Sequence, residues 1–160
     1  MFFKNRLSKD EIAHMHGVAE LMAFCAEYFG LDKGKMYTLG LLHDVGKIYS
    51  KDAHEMAGSK IMKSWNIPAN LPKLIEVHGM TPEEYKEMAR CGDTEIPPEL
   101  VLLWYADMRV DAYGHIGTYQ ERLEQVAIDC GKESESFRIC RDTIIWLQAH
   151  VGQYFHVKQE

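Results

Sequence analysis

At 160 residues with 46% hydrophobic content, the chain suits one well-packed domain and is short for two. No run nears the roughly 18 to 20 consecutive apolar residues that span a bilayer, and the opening "MFFKNRLSKD" turns polar too early for a signal peptide. A cytoplasmic protein with no membrane partner is expected, and a formal charge of −6 argues against an extended nucleic-acid surface while leaving room for a small phosphorylated ligand.

Helix signals recur along the whole chain. Ser8 and Glu11 have capping-box spacing, and an apolar period of three and four follows to Tyr28 and Phe29 before Gly30 stops it. A second helix is predicted from Lys33 to about Tyr49 with Asp32 as cap, and a third from Asp52 to near "SWNIP". Asn70 precedes the shorter "LPKLIEVHG", and Thr81, Pro82 and Glu84 open another helix that ends before Cys91 and Gly92. Pro97 and Pro98 lead into "ELVLLWYADMRV", Thr118 with Glu121 begins the next segment, and Ser134 caps a last amphipathic helix through Phe137, Cys140, Ile144, Leu147, Val151 and Tyr154.

Alternating strand patterns are absent, so the expected fold is all-α, a single compact helical bundle over 1–160. Cys25, Cys91, Cys130 and Cys140 lack CxxC spacing and read as reduced thiols that pack, not as a disulfide frame or a zinc site.

The informative residues are polar side chains on apolar faces. One turn before the stripe through Val18, Leu21, Met22, Cys25 and Tyr28 lies His14, whereas His16 lines up with Glu20 and Glu27 toward water. By the same phase His43 joins Met36, Leu39 and Gly40, with Lys47 one turn on; His54 joins Gly58, Ile61 and Trp65. His78 follows Leu71, Leu74 and Ile75, and Asp107 extends Leu100, Leu103 and Trp104.

Taken singly, each inward histidine reads more readily as a hydrogen-bonded core residue than as a ligand. Together they weigh differently, because an ionised Asp44 or Asp107 costs several kcal/mol to bury unless paired or coordinated. One divalent cluster satisfies four histidines and two aspartates at once. Imidazole and carboxylate without thiolate suit one or two ions of iron, manganese, cobalt, nickel, zinc or magnesium.

"HMHGVAEL" from His14, "GLLHDVGK" ending at Lys47, "HEMAGSKIMKSW" from His54, "LIEVHG" and "LLWYADM" together resemble the HD-domain superfamily of metal-dependent phosphohydrolases. The resemblance spans about 5–115 and leaves 118–160 as closing helices. It implies His14, His43, Asp44 and Asp107 as the defining metal ligands, with His54 and His78 where a second metal would be held. Layout and size are similar to bacterial hydrolases of symmetrical dinucleoside tetraphosphates, although "GMTPEEYKEM" after His78 departs from that group.

The implied function is hydrolysis, by metal-activated water, of a phosphate ester or phosphoanhydride, most naturally of a nucleotide. Asp44 would bridge two metals, Lys47 would meet the phosphate or the leaving group, and Arg109 is a weaker phosphate contact. Gly46 would permit a close approach, Gly114 and Gly117 would shape a rim loop, and His115 in that loop would be solvated. Three other readings stay open: a nucleotide- and metal-binding sensor without turnover, an HD-fold diiron oxygenase, and a purely structural helical protein with inward histidines.

Overall fold

In the computed structural model, which describes residues 6–68 and 70–156, the elements are helical apart from one isolated bridge between Val110 and Ile116. Helix α1 spans Lys9–Cys25, and its capping box is complete: Ser8 Oγ accepts from the Glu11 amide at 3.1 Å, and Glu11 accepts from the Ser8 amide at 2.7 Å. The chain then tightens into a 3₁₀ turn, Ala26–Phe29, closed by Gly30 at φ 68°. That tightening rotates the apolar phase. Phe29 is buried at 4% exposure, while Tyr28, expected on the inward stripe, stands at 36%.

Helix α2 covers Lys33–Leu42, with Asp32 accepting from the Lys35 amide at 2.7 Å. It stops seven residues short of the predicted Tyr49. His43 caps it, Asp44 takes φ −105° and ψ 7°, and Val45–Ile48 forms a 3₁₀ turn. The cause is tertiary: Gly46 backs directly onto the His54 carbonyl, so close that a Cβ there would overlap the oxygen. An uninterrupted α-helix would carry this backbone away from α3. The Gly46→Ala variant is expected to lose about 3 kcal/mol of stability, near the top of the range for overpacking, read as a lowered urea midpoint at unchanged slope.

Helix α3, His54–Ser64, starts from Ala53 and not from the predicted cap Asp52; Ser50 Oγ takes the Ala53 amide instead. Trp65 falls just past the helix end and is 51% exposed, so the inward stripe ends at Ile61. Helices α4 (Asn70–Val77) and α5 (Pro82–Ala89) follow, the second with the Thr81/Glu84 capping box. Next come α6 (Pro98–Asp107), α7 (Tyr119–Cys130) behind the Thr118/Glu121 box, and α8 (Glu135–His150) capped by Ser134.

Helix α6 is apolar nearly all round, and a helix of that kind has to be enclosed. Leu100, Val101, Leu102 and Leu103 are fully buried, and α1, α2 and α8 pack against it. Gly40 of α2 meets the Ala19 backbone of α1, where a Cβ would sit 2.7 Å from Ala19 Cα, so this pair packs at close range. A smaller cluster of Met15, Val45 and Ile61 fills the space under the Val45–Ile48 turn. The C-terminal end of α6 thereby faces the α2–α3 junction.

Candidate metal centre

Four imidazoles reach this junction from four elements, and each is held by the same device. His43, His54 and His78 present Nδ1 to the carbonyls three residues earlier, those of Gly40 at 2.7 Å, Lys51 at 3.2 Å and Ile75 at 2.7 Å. His14 presents Nδ1 to the Asp111 carbonyl at 2.8 Å. That carbonyl belongs to the 110–117 loop, whose Gly114, at φ 86°, lies tight against the Ala13 backbone. A carbonyl can only accept, so Nδ1 carries the hydrogen and Nε2 is left as a lone pair.

All four Nε2 atoms face two carboxylates. His14 Nε2 lies 3.0 Å and His43 Nε2 3.7 Å from Asp107 Oδ1. Asp44 turns Oδ2 toward His43 Nε2 at 3.5 Å, and Oδ1 toward His54 Nε2 at 3.2 Å and His78 Nε2 at 3.7 Å. Two triads result, His14 with His43 and Asp107, and Asp44 with His54 and His78, each with donor atoms within 4.8 Å of one another. Asp44 stands between them.

Lone pairs turned on carboxylate oxygens repel unless a cation lies among them. His43 Nε2 is fully buried with no hydrogen-bond partner, which is the mark of a donor atom waiting for an ion. Protons alone would make several imidazoliums crowd one buried cluster, whereas divalent ions satisfy the same atoms without that repulsion. Hydrogen bonds at the far ring nitrogens fix tautomer and orientation as metal-binding histidines require. The residues therefore fit a divalent ion in each triad.

Positive charge at the ring edges is what keeps the carboxylates ionised. Burial pushes the Asp44 carboxyl up, but charge on His43, hydrogen bonds from His54 and His78, and the Lys47 ammonium outweigh it and hold the group well below the usual carboxylate range, an effect that needs protons on those Nε2 atoms or a cation in their place. Asp107 behaves alike: burial raises it, and hydrogen bonds and charge from His14 and His43 bring it well below. Lys47 Nζ lies 2.5 Å from Asp44 Oδ2; burial lowers its pKa, and Asp44, with Asp107 and Glu11, more than restores it, so the ammonium stays charged.

The cluster opens on a cleft of about 320 Å³, lined by Asp44, Lys47, His54, His78 and Asp107 on one side and by α7 and α8 on the other. Of the residues expected from sequence, Arg109 is not brought here. Its Nε donates to the Gly117 carbonyl and its Nη1 to the Tyr105 hydroxyl, with the guanidinium lying over the Tyr105 and Tyr119 rings. His16 and His115 are exposed, as expected.

Two cleft residues escaped the sequence reading. Glu55 Oε1 sits 3.5 Å from His54 Nε2, and nothing beyond its adjacency to His54 announces it. Arg122 places Nη2 3.7 Å from Asp107 Oδ1. It shares its helical face with Tyr119 and Val126, which pack on the core, so the phase test that found His14 also finds Arg122.

Comparison with known proteins gives the same centre a family. The ribonucleases Y of Mycoplasma mycoides subsp. mycoides and of Mycoplasma capricolum are each 32% identical over 90 residues, 54% of this chain and 18% of theirs. Ribonuclease Y of Aquifex aeolicus is 29% identical over 93 residues, 56% of this chain and 17% of its own. The chain thus spans under a fifth of the length of these curated relatives. No solved structure matches it significantly. The HD domain family matches residues 12–109, more than half of the chain and the stretch that runs from just before His14 to just after Asp107, and the protein belongs to that family.

Proposed function

We propose that the protein is a metal-dependent phosphohydrolase that cleaves a phosphate ester or phosphoanhydride of a nucleotide. One observation carries the reading: four Nε2 lone pairs, each fixed by an Nδ1 hydrogen bond to a carbonyl, converge on two ionised carboxylates at the floor of an open cleft. His14, His43 and Asp107 would hold one ion, and His54 and His78 a second, with Asp44 offering one oxygen to each. Such ions polarise phosphoryl oxygens and make water acidic enough to ionise near neutral pH.

The side chains supply the rest. The Lys47 ammonium, charged and at the cleft wall, would take a phosphate oxygen or the leaving group as charge develops there. Asp44 and Asp107, both held ionised, keep the ligand field negative throughout the working pH range. The relatives named Ribonuclease Y act, by that name, on RNA, which supports a nucleotidyl phosphate as substrate. The charge of −6 and the cleft volume favour a small substrate over a long polyanion. Four free cysteines suit a reducing, cytoplasmic setting.

The test is a matrix of purified protein loaded in turn with Fe, Mn, Co, Ni, Zn or Mg against mononucleotides, dinucleoside polyphosphates, cyclic dinucleotides and short oligoribonucleotides. Chelator-sensitive release of phosphate or nucleotide from at least one class is expected. Binding without release across the whole matrix would leave a sensor, and oxygen-dependent products from the iron form would point to an oxygenase.

A further inference from the structure

Among the described residues lining the cleft, Arg122 is the cation contributed from beyond the stretch matched to the family, and its surroundings are unusual for a structural arginine. Its Nη1 is tethered to Gln125 Oε1 at 3.1 Å, and the same oxygen accepts from the Ala112 amide at 3.0 Å, tying α7 to the loop that holds His14. Its Nε is buried without a hydrogen-bond partner. Its Nη2 stops 3.7 Å short of Asp107 Oδ1, beyond hydrogen-bond reach, although an arginine free to pair would close a fork on the carboxylate.

The charge count shows what this stand-off is for. Two carboxylates face two side-chain cations, Lys47 beside Asp44 and Arg122 beside Asp107. With a divalent ion held in each triad, Asp44 and Asp107 would be engaged as ligands and Lys47 and Arg122 would be left facing the cleft with positive charge to spare. An anion entering the cleft would offset it. Glu55 and Asp129 also line the cleft, but Glu55 stands beside the other triad, 3.5 Å from His54 Nε2, Asp129 is exposed, and among the described residues the ion pair of Arg122 is the long one with Asp107.

Building on the phosphohydrolase reading, we infer that Arg122 is the anion-holding residue of the cleft: its Nη2 edge takes non-bridging oxygens of the substrate phosphate opposite Lys47, with Gln125 as the positioning residue that aims it. The planar fork matches phosphate geometry and a lysine ammonium does not, so charge alone should not replace it.

The probe is inorganic phosphate, titrated by calorimetry into Mn-loaded protein, alongside metal analysis and thermal melts. Wild type should bind phosphate only when loaded with metal. Arg122→Ala should weaken that binding by roughly 10- to 100-fold, as expected for losing a charge-assisted, two-point contact. Arg122→Lys, which keeps the charge and guards against a folding defect in the alanine variant, should recover only part of the affinity, and Gln125→Ala should lose a few-fold, each at unchanged metal content. Equal phosphate affinity in wild type and both Arg122 variants overturns the assignment of Arg122 and leaves the hydrolase reading standing. Wild-type protein that takes up metal yet binds no phosphate overturns both.

Discussion

The Asp44→Asn protein is expected to keep its fold, to lose bound divalent metal, and to release phosphate about 10³-fold more slowly than wild type. Asparagine is nearly isosteric, and its amide can donate to a bare imidazole Nε2, so the buried junction stays filled and hydrogen-bonded. What disappears is the one group with an oxygen turned to each triad. The polarisation that such ions contribute is worth several kcal/mol, and about 4 kcal/mol corresponds to that thousandfold, each 1.36 kcal/mol being a factor of ten. Lys47 loses its partner too, but it is partly exposed and water can solvate it. Metal analysis beside turnover and circular dichroism checks the prediction, and a folded variant with undiminished metal and rate would remove Asp44 from the centre. Asp107→Asn should strip the His14 triad first, since of the four imidazoles Asp107 faces His14 and His43.

Both aspartates were legible in the sequence because burying a carboxylate is costly enough to demand a reason. Helical phase put His14, His43, His78 and Asp107 inward while sending His16 outward, and the structure keeps those faces. The caps at Ser8, Asp32, Thr81, Thr118 and Ser134 are local, i to i+3 chemistry, and local chemistry survives without knowledge of the fold. The break in α2 did not announce itself, because nothing in "HDVGKIY" forbids helix. It is imposed by the His54 carbonyl, eight residues beyond Gly46 and visible only when α3 has docked. Arg109 missed its expected place at the cleft for a similar reason. Periodicity places a side chain on a face but cannot say which neighbour claims it, and Tyr105, Tyr119 and the Gly117 carbonyl claim Arg109.

The same logic predicts how stability should follow metal. If the imidazoles were content with their own neighbours, chelation would leave the melting temperature where it is. Nδ1 of each ring has such a neighbour, but Nε2 does not have one that a neutral ring could use, so the native state alone offers the complete site and mass action must favour it. At a free ion concentration about 100 times Kd the gain is about 2.7 kcal/mol, which for a domain of this size raises Tm by roughly 5 to 11 °C. His78→Ala separates the two triads: stoichiometry should fall from near two ions to near one, with part of the thermal shift retained, because the His14, His43 and Asp107 set is untouched. A wild-type protein whose melt is indifferent to both added ion and chelator would mean that the cluster is held by protons, and the repulsion among its buried imidazoles would then have to be relieved by some other counter-charge than metal.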